Sequence, residues 1–231
     1  LSSAPTPSRD CPRLAVTSPA DAKQIQTQKD GYVREKVVFT SELGVDIPAY
    51  VLIPDGVKKP APAIICVHQH AGQFAIGKSE SVGRIGVDYA AYGLRYCREG
   101  YITFSADQAA FEERKHPVSD WGGDGKEIHR LILEERTMAG LFAWETGRAI
   151  DYLRTRKDVD GSLIGATGHS MGAMAVLAAL PVERRIKAAV VSCGVATYRG
   201  KLERGETMPG AQLIPGMLPK WELYDIYACL L

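Results

Sequence analysis

Residues 163–180 read Leu-Ile-Gly-Ala-Thr-Gly-His-Ser-Met-Gly-Ala-Met-Ala-Val-Leu-Ala-Ala-Leu. A short apolar run enters a Gly-His-Ser-Met-Gly turn and a helix-forming run leaves it. Strand, sharp turn, helix is the context in which a G-x-S-x-G pattern carries meaning. Such a turn lifts one residue, Ser170, above the edge of a sheet in a strained conformation. Gly168 and Gly172 flank it because a Cβ there would crowd the turn or block close helix–strand packing. The helix begins at Met171, so its free N–H groups and partial positive charge face any negative charge that develops beside Ser170. The alternative is a glycine-rich connection with an incidental serine.

The flanking chain sets the fold class. Val33–Thr40 and Val45–Ile53 read as a hairpin turning at Ser41-Glu-Leu-Gly44. Ala63–His68, Gly100–Ser105 and Lys187–Cys193 are apolar without alternation, the mark of strands buried on both faces of a parallel sheet. Helices are expected over residues 84–98, with Ile85, Tyr89, Tyr92 and Tyr96 on one face, and over Ile128–Arg156, interrupted near Gly140. Phe142, Thr146, Ala149, Ile150 and Leu153 form an apolar stripe on the long helix. Ala139, Ala143 and Gly147 are expected to let it approach a sheet. Residues 73–81 read as a polar loop, and 108–128 as a long loop whose Trp121 caps a substrate. Gly194–Pro219 reads as irregular, and Trp221–Leu231 as a last amphipathic helix. Residues 1–30, rich in polar residues and proline, read as an N-terminal arm with a short helix near Ala20–Thr27. Residues 31–231 then form one α/β domain with a mostly parallel sheet.

Composition narrows the partners. Apolar residues make up 45% and charged residues 24%, with a formal net charge of +1. Nothing there attracts nucleic acid, and no apolar run approaches a membrane span. The five cysteines are scattered and lack C-x-x-C spacing, which points to reduced thiols and a cytoplasmic setting. Cys11 with Cys97 or Cys229 is the pairing left open. The sequence starts at Leu1, which leaves room for a removed secretion signal.

A serine nucleophile needs a base, an orienting group and oxyanion donors. The N–H of Met171 is one donor. The second comes from the loop after the strand ending at His68, from His70 with Gln69 as the near alternative. His68-x-His70 also admits a metal site, because i and i+2 of a strand share a side; no further cluster at ligand spacing completes it, so no metal or cofactor is expected. The side chain of His68 is expected to pack beneath the serine turn. None of the five histidines follows Ser170. The acidic residues that do, Glu183, Glu203, Glu206, Glu222 and Asp225, read as solvated or local contacts.

From about Val33 to Leu231 the chain resembles the α/β-hydrolase superfamily, in its dienelactone-hydrolase-like and acetyl-xylan-esterase-like branch. The elbow with its approach, Asp158–Ala173, carries the resemblance most specifically. Asp46–Pro54, Pro62–Gly72 and Asp107–Arg114 support it. Two positions depart from the branch: Gln69 and Glu112 stand where glycine is usual. The resemblance implies an α/β-hydrolase fold and a serine carboxylic-ester hydrolase acting on a small-molecule ester through an acyl-enzyme on Ser170. It also implies a catalytic acid and histidine after further strands. With one strand after Ser170, the sheet is expected to lack its last strands and the chain to be a truncated form. The competing expectation is a non-catalytic α/β-hydrolase-like scaffold, followed by a serine peptidase or thioesterase. Oligomeric state is left undetermined.

Overall fold

A computed structural model describes residues 25–115, 123–218 and 220–228. Seven strands form one sheet: β1 (Ile25–Lys29), β2 (Tyr32–Glu42), β3 (Val45–Pro54), β4 (Ala61–Val67), β5 (Ile102–Ala106), β6 (Val159–His169) and β7 (Ile186–Ser192). Their spatial order is β1-β2-β3-β5-β4-β6-β7. The pairings from β1 to β5 are antiparallel, and β5, β4, β6 and β7 run parallel. This is the α/β-hydrolase arrangement expected, with an antiparallel lead-in that makes the sheet mixed. The β2–β3 hairpin forms as read. Residues 25–27, expected in a helix, instead pair with β2, and the arm before them lies outside the described residues.

Helices α1 (Lys78–Ser81), α2 (Tyr92–Arg98), α3 (Gly123–Leu133), α4 (Met138–Thr155), α5 (Met171–Ala179), α6 (Tyr198–Glu203) and α7 (Leu223–Ala228) connect and flank the strands. None of the described helices is long and apolar enough to cross a membrane. The apolar stripe of α4 is buried as expected: Phe142, Thr146, Ala149, Ile150 and Leu153. On the same helix Tyr152 meets Phe39 and Phe104, with ring centroids 5.5–6.0 Å apart, and these three rings anchor the core.

Several expectations are corrected. The long helix is two helices, broken before Thr137 rather than at Gly140. The Thr137 side chain accepts from the Gly140 N–H at 3.0 Å and so starts α4 afresh. The span 84–98 is not one helix: Gly83 and Gly86 adopt φ of 68° and 95°, so only α2 and a 3₁₀ turn at Asp88–Ala90 form, and Ile85 and Tyr89 are exposed. Ala143 and Gly147 do not face the sheet. They admit α5 and the loop after it, where the Gly147 carbonyl accepts from Arg185 Nη2 at 3.3 Å. Residues 194–219 contain α6 and a 3₁₀ turn at Gly210–Gln212. Strand β7 is exposed at the end of the sheet, with Ala188, Ala189 and Val190 open to solvent. Its sequence suits two covered faces, but among the described residues it has a strand neighbour on one side only.

This contrast sets an expectation for urea denaturation. Phe104→Ala, at the aromatic centre, should lose about 3–5 kcal/mol, and Val190→Ala should stay within about 0.5 kcal/mol of the parent. Comparable losses at both positions would mean that β7 is covered.

Candidate active site

Strand β6 ends at His169 and α5 begins at Met171, so Ser170 occupies the turn between them. Its φ and ψ are 54° and −116°, a left-handed backbone that a non-glycine residue holds only where its surroundings enforce it. Two hydrogen bonds enforce it here. The Ser170 N–H donates to the Ser192 carbonyl of β7 at 2.8 Å, and the Ser170 carbonyl accepts from Met174 at 3.1 Å. The glycines are sterically required. A Cβ on Gly168 would lie 2.3 Å from the Gly172 carbonyl, and one on Gly172 would lie 2.0 Å from the Val67 carbonyl of β4. Ser170 is half-buried. The Met171 N–H, first of its helix, has no acceptor within it.

Strand β4 runs beside β6 with Val67 opposite Gly168, so its exit lies next to the serine turn. There Ala71 and Gly72 reverse the chain at φ of 50° and 68°. His70 Nδ1 accepts from the Gly72 N–H at 2.9 Å, and the ring packs on Phe74 and Phe111 with centroids 5.0 and 5.3 Å away. His70 and Met171 therefore stand at the exits of adjacent strands.

His68 is fully buried as expected, but it ties the loops together rather than only filling space. Its Nδ1–H donates to the Gln69 carbonyl at 2.9 Å, and its Nε2 accepts from the Gln108 N–H, beyond β5, at 3.0 Å. Burial pushes its pKa down to about 4. With both nitrogens engaged, His68 has no lone pair left for the His68-x-His70 metal reading. The Gln69 side chain, which replaces the usual glycine, turns into the protein. It donates to Glu80 Oε1 at 3.0 Å and to Tyr89 Oη at 3.4 Å, and Tyr89 stacks edge-on against His169. Glu80 is buried, and this burial raises its pKa against the opposing pull of Gln69 and His169.

The segment read as a polar loop holds a group that pattern reasoning missed. Every residue of α1 is buried. Lys78 Nζ lies 2.7 Å from Asp107, 2.9 Å from Glu112 and 2.6 Å from Glu113. Burial works against the ammonium, but the Asp107 charge and the three carboxylate contacts outweigh it and raise its pKa. These carboxylates approach one another closely enough to hold a cation, and Lys78 is that cation. Glu112 explains its own departure from glycine. Its φ is 44°, the conformation glycine supplies without strain. Its carboxylate accepts from the N–H groups of Gly77 (3.1 Å) and Ser79 (2.9 Å), from Ser79 Oγ (2.7 Å) and from Lys78. Arg114 completes the anchor with paired bonds of 2.7–2.8 Å to Glu145 and one of 2.8 Å to the Asp107 carbonyl.

Among the described residues no histidine is hydrogen-bonded to Ser170. His116 and Trp121 lie outside those residues. Of the later acids, Glu206 pairs locally with Arg204 and Glu183 with Arg185. Glu222 is buried rather than solvated, and receives the N–H groups of Tyr198 and Arg199 at 2.8 and 2.9 Å at the start of α6.

A profile of the Abhydrolase family matches residues 13–208. The curated protein "Putative hydrolase YtaP" of Bacillus subtilis (strain 168) is 31% identical over 150 residues, which are 63% of this chain and 48% of that protein. The chain thus spans about half the length of this curated relative. A crystal structure of a "putative acetyl xylan esterase" from Bacteroides fragilis NCTC 9343 superposes with a TM-score of 0.76 at 22% identity, over 90% of this chain and 60% of that one. The acetyl xylan esterase from Paenibacillus sp. R4 superposes with a TM-score of 0.57 at 16% identity, over 90% and 66%. These two structures share the fold.

Two outcomes follow for this edge. Glu112→Ala keeps the left-handed strain and loses the carboxylate, whereas Glu112→Gly loses the carboxylate and relieves the strain. The glycine variant should therefore be the more stable of the two by about 1 kcal/mol in urea titrations. For His68, the folded pKa of about 4 lies below the unfolded 6.5. The unfolded chain takes up the proton first, so stability is lost as pH falls from 6.5 towards 4, by about 3 kcal/mol at most. Stability–pH profiles should show this loss in the parent and not in His68→Gln; parallel profiles would mean that His68 titrates normally.

Proposed function

From the premise that this chain belongs to the Abhydrolase family, we propose that it is a serine carboxylic-ester hydrolase with Ser170 as nucleophile. The observation that carries the reading is the enforced left-handed turn of Ser170 at the head of α5. That turn holds the hydroxyl at the sheet edge, beside free N–H groups. Ser170 Oγ attacks the carbonyl carbon of a small-molecule ester while a base takes its proton. The tetrahedral oxyanion is held by the N–H groups of Met171 and His70. The C–O bond to the alcohol then breaks, the alcohol leaves with the proton, and an acyl-enzyme remains. Water attacks that ester by the same route and releases the acid. No oxidation state changes in either step, so no redox group takes part. In this reading the proton acceptor is a histidine that none of the described residues brings to Ser170. Among the described residues Cys66, Cys97 and Cys193 are free thiols, in keeping with a reducing, cytoplasmic setting; Cys11 and Cys229, whose pairing is left open, lie outside those residues.

One specific observation favours a second reading, a non-catalytic α/β-hydrolase-like scaffold: the serine has no described base. A fluorophosphonate probe separates the two. It should add one phosphonyl group to the native protein, detected by intact mass, and none to Ser170→Ala or to urea-unfolded protein. No labelling of the native protein overturns the hydrolase reading in favour of the scaffold. Where labelling occurs, a panel of acetyl esters, acyl thioesters and peptide amides should show turnover of the oxygen esters first. Preference for an amide or a thioester would move the protein to the peptidase or thioesterase class.

A further inference from the structure

A groove runs along the outer side of α4, away from the serine turn. Its two halves differ in chemistry. The first is a cavity of about 270 Å³ between the start of α4, the half-buried flank of α5 and the segment around Ile214, with Met174, Leu177, Ala178 and Leu223 among its walls. The second, of about 610 Å³, continues along α4 towards Arg154 and is closed by the loop Val182–Arg185. Gly140, Ala143 and Val182 line both, so the halves are continuous. The small residues at 140, 143 and 147 recur at helical spacing and form the floor.

The charges in the second half are unevenly matched. Arg148 donates to Asp151 at 2.9 Å and to the Thr40 carbonyl. Arg185 takes up the other oxygen of Asp151 and both oxygens of Glu183. These pairs consume the two carboxylates of the groove. Arg154 and Arg184 also line it, both are exposed, and among the described residues neither has a carboxylate partner. The groove therefore offers an apolar slot at one end and two uncommitted guanidinium groups at the other. A guanidinium binds a carboxylate or a phosphate through a paired N–H fork.

From this juxtaposition we infer that the α4–α5 groove binds a single-chain anionic amphiphile. Its aliphatic tail lies in the cavity beside Met174 and Ala178, and its anionic head lies between Arg154 and Arg184. The tail excludes water from apolar walls that are otherwise wet, and the head supplies the counter-charge that the groove lacks. The cavity volume is close to the roughly 300 Å³ at the lower end of ligand pockets, which suits one chain rather than two. The site is independent of Ser170, since none of its named residues belongs to the serine turn or to the exit of β4.

The test is isothermal titration of the intact chain with decanoate, decyltrimethylammonium and acetate, each below its critical micelle concentration. Decanoate should bind at one per chain, at least tenfold more tightly than either the cationic amphiphile or the tail-less anion. Arg154→Ala/Arg184→Ala should weaken decanoate at least fivefold, with far-UV circular dichroism unchanged because both side chains are exposed. Ala178→Phe should fill the slot and weaken decanoate as well. Trp144, which lines the basic half, gives a second readout through its fluorescence. Equal binding of the two amphiphiles, acetate binding as tight as decanoate, an unchanged arginine double variant, or no saturable binding would each overturn the proposal. The last result would leave the groove to a polypeptide segment.

Discussion

The contact on which the rest depends is between two pieces of backbone. Helix α5 is seated so low on the sheet that Gly172 meets the Val67 carbonyl of the neighbouring strand, with no room for a methyl group at either Gly172 or Gly168. That seating links three elements. It fixes the head of α5 over the exit of β6, it brings the exit of β4 alongside, and it gives Ser170 no ordinary conformation to adopt. The strain is local and of order 1–3 kcal/mol. It is held by the bond from the Ser170 N–H to Ser192 and by the burial of Ala173, Val176 and Ala175 behind it. Removing water from those side chains is worth roughly 25 cal/mol per Å² of apolar surface, enough to sustain one strained residue.

A second constraint holds the neighbouring loops. Taking an ammonium and several carboxylates out of water is expensive, and a buried ion pair is weak evidence for stability. The Lys78 cluster is better read as a device for position. Asp107 and Glu112 are connected to α1 through its backbone N–H groups as well as through the ammonium, so the loop after β5 and the segment after β4 cannot move apart without stranding a buried charge. Arg114 extends the lock to α4 through Glu145. Gln69 and Glu80 tie the same segment to Tyr89 on the other side. The exit of β4, which bears His70, is thus clamped from two directions by side chains that never reach the serine.

How much of this was legible in the sequence follows from the range of each signal. The serine turn could be read because its causes are local: glycines, a strand and a helix within eighteen residues. The apolar runs of β4 and β5 announced their burial for the same reason. Polar residues buried by partners distant in sequence gave no such sign. Lys78, Ser79, Glu80 and Ser81 look like a solvated loop until Asp107 and Glu112 are folded onto them. The exposure of β7 was illegible for the opposite reason. Its side chains suit a covered strand, and exposure is decided by its neighbours in space. Where glycine dihedrals decided the outcome, as at Gly83 and Gly86, helical periodicity from Ile85 to Tyr96 was the weaker signal.

One pattern of backbone strain can be described without reference to the serine motif. Among the described residues six non-glycine residues have positive φ. Ala71 follows β4, Ala110 and Glu112 follow β5, Ser170 follows β6 and Cys193 follows β7. Glu135, in the break between α3 and α4, is the exception. Every parallel strand therefore leaves the sheet through a residue held in an unfavourable conformation, and all do so at the carboxyl edge, where ligands bind in open α/β sheets. On the antiparallel side of the sheet the positive-φ turn positions 31, 44 and 56 are all glycine. The strained non-glycine residues cluster at the carboxyl edge, and two of them, Ser170 with its hydroxyl and Cys193 with an exposed free thiol, carry side chains of nucleophilic type.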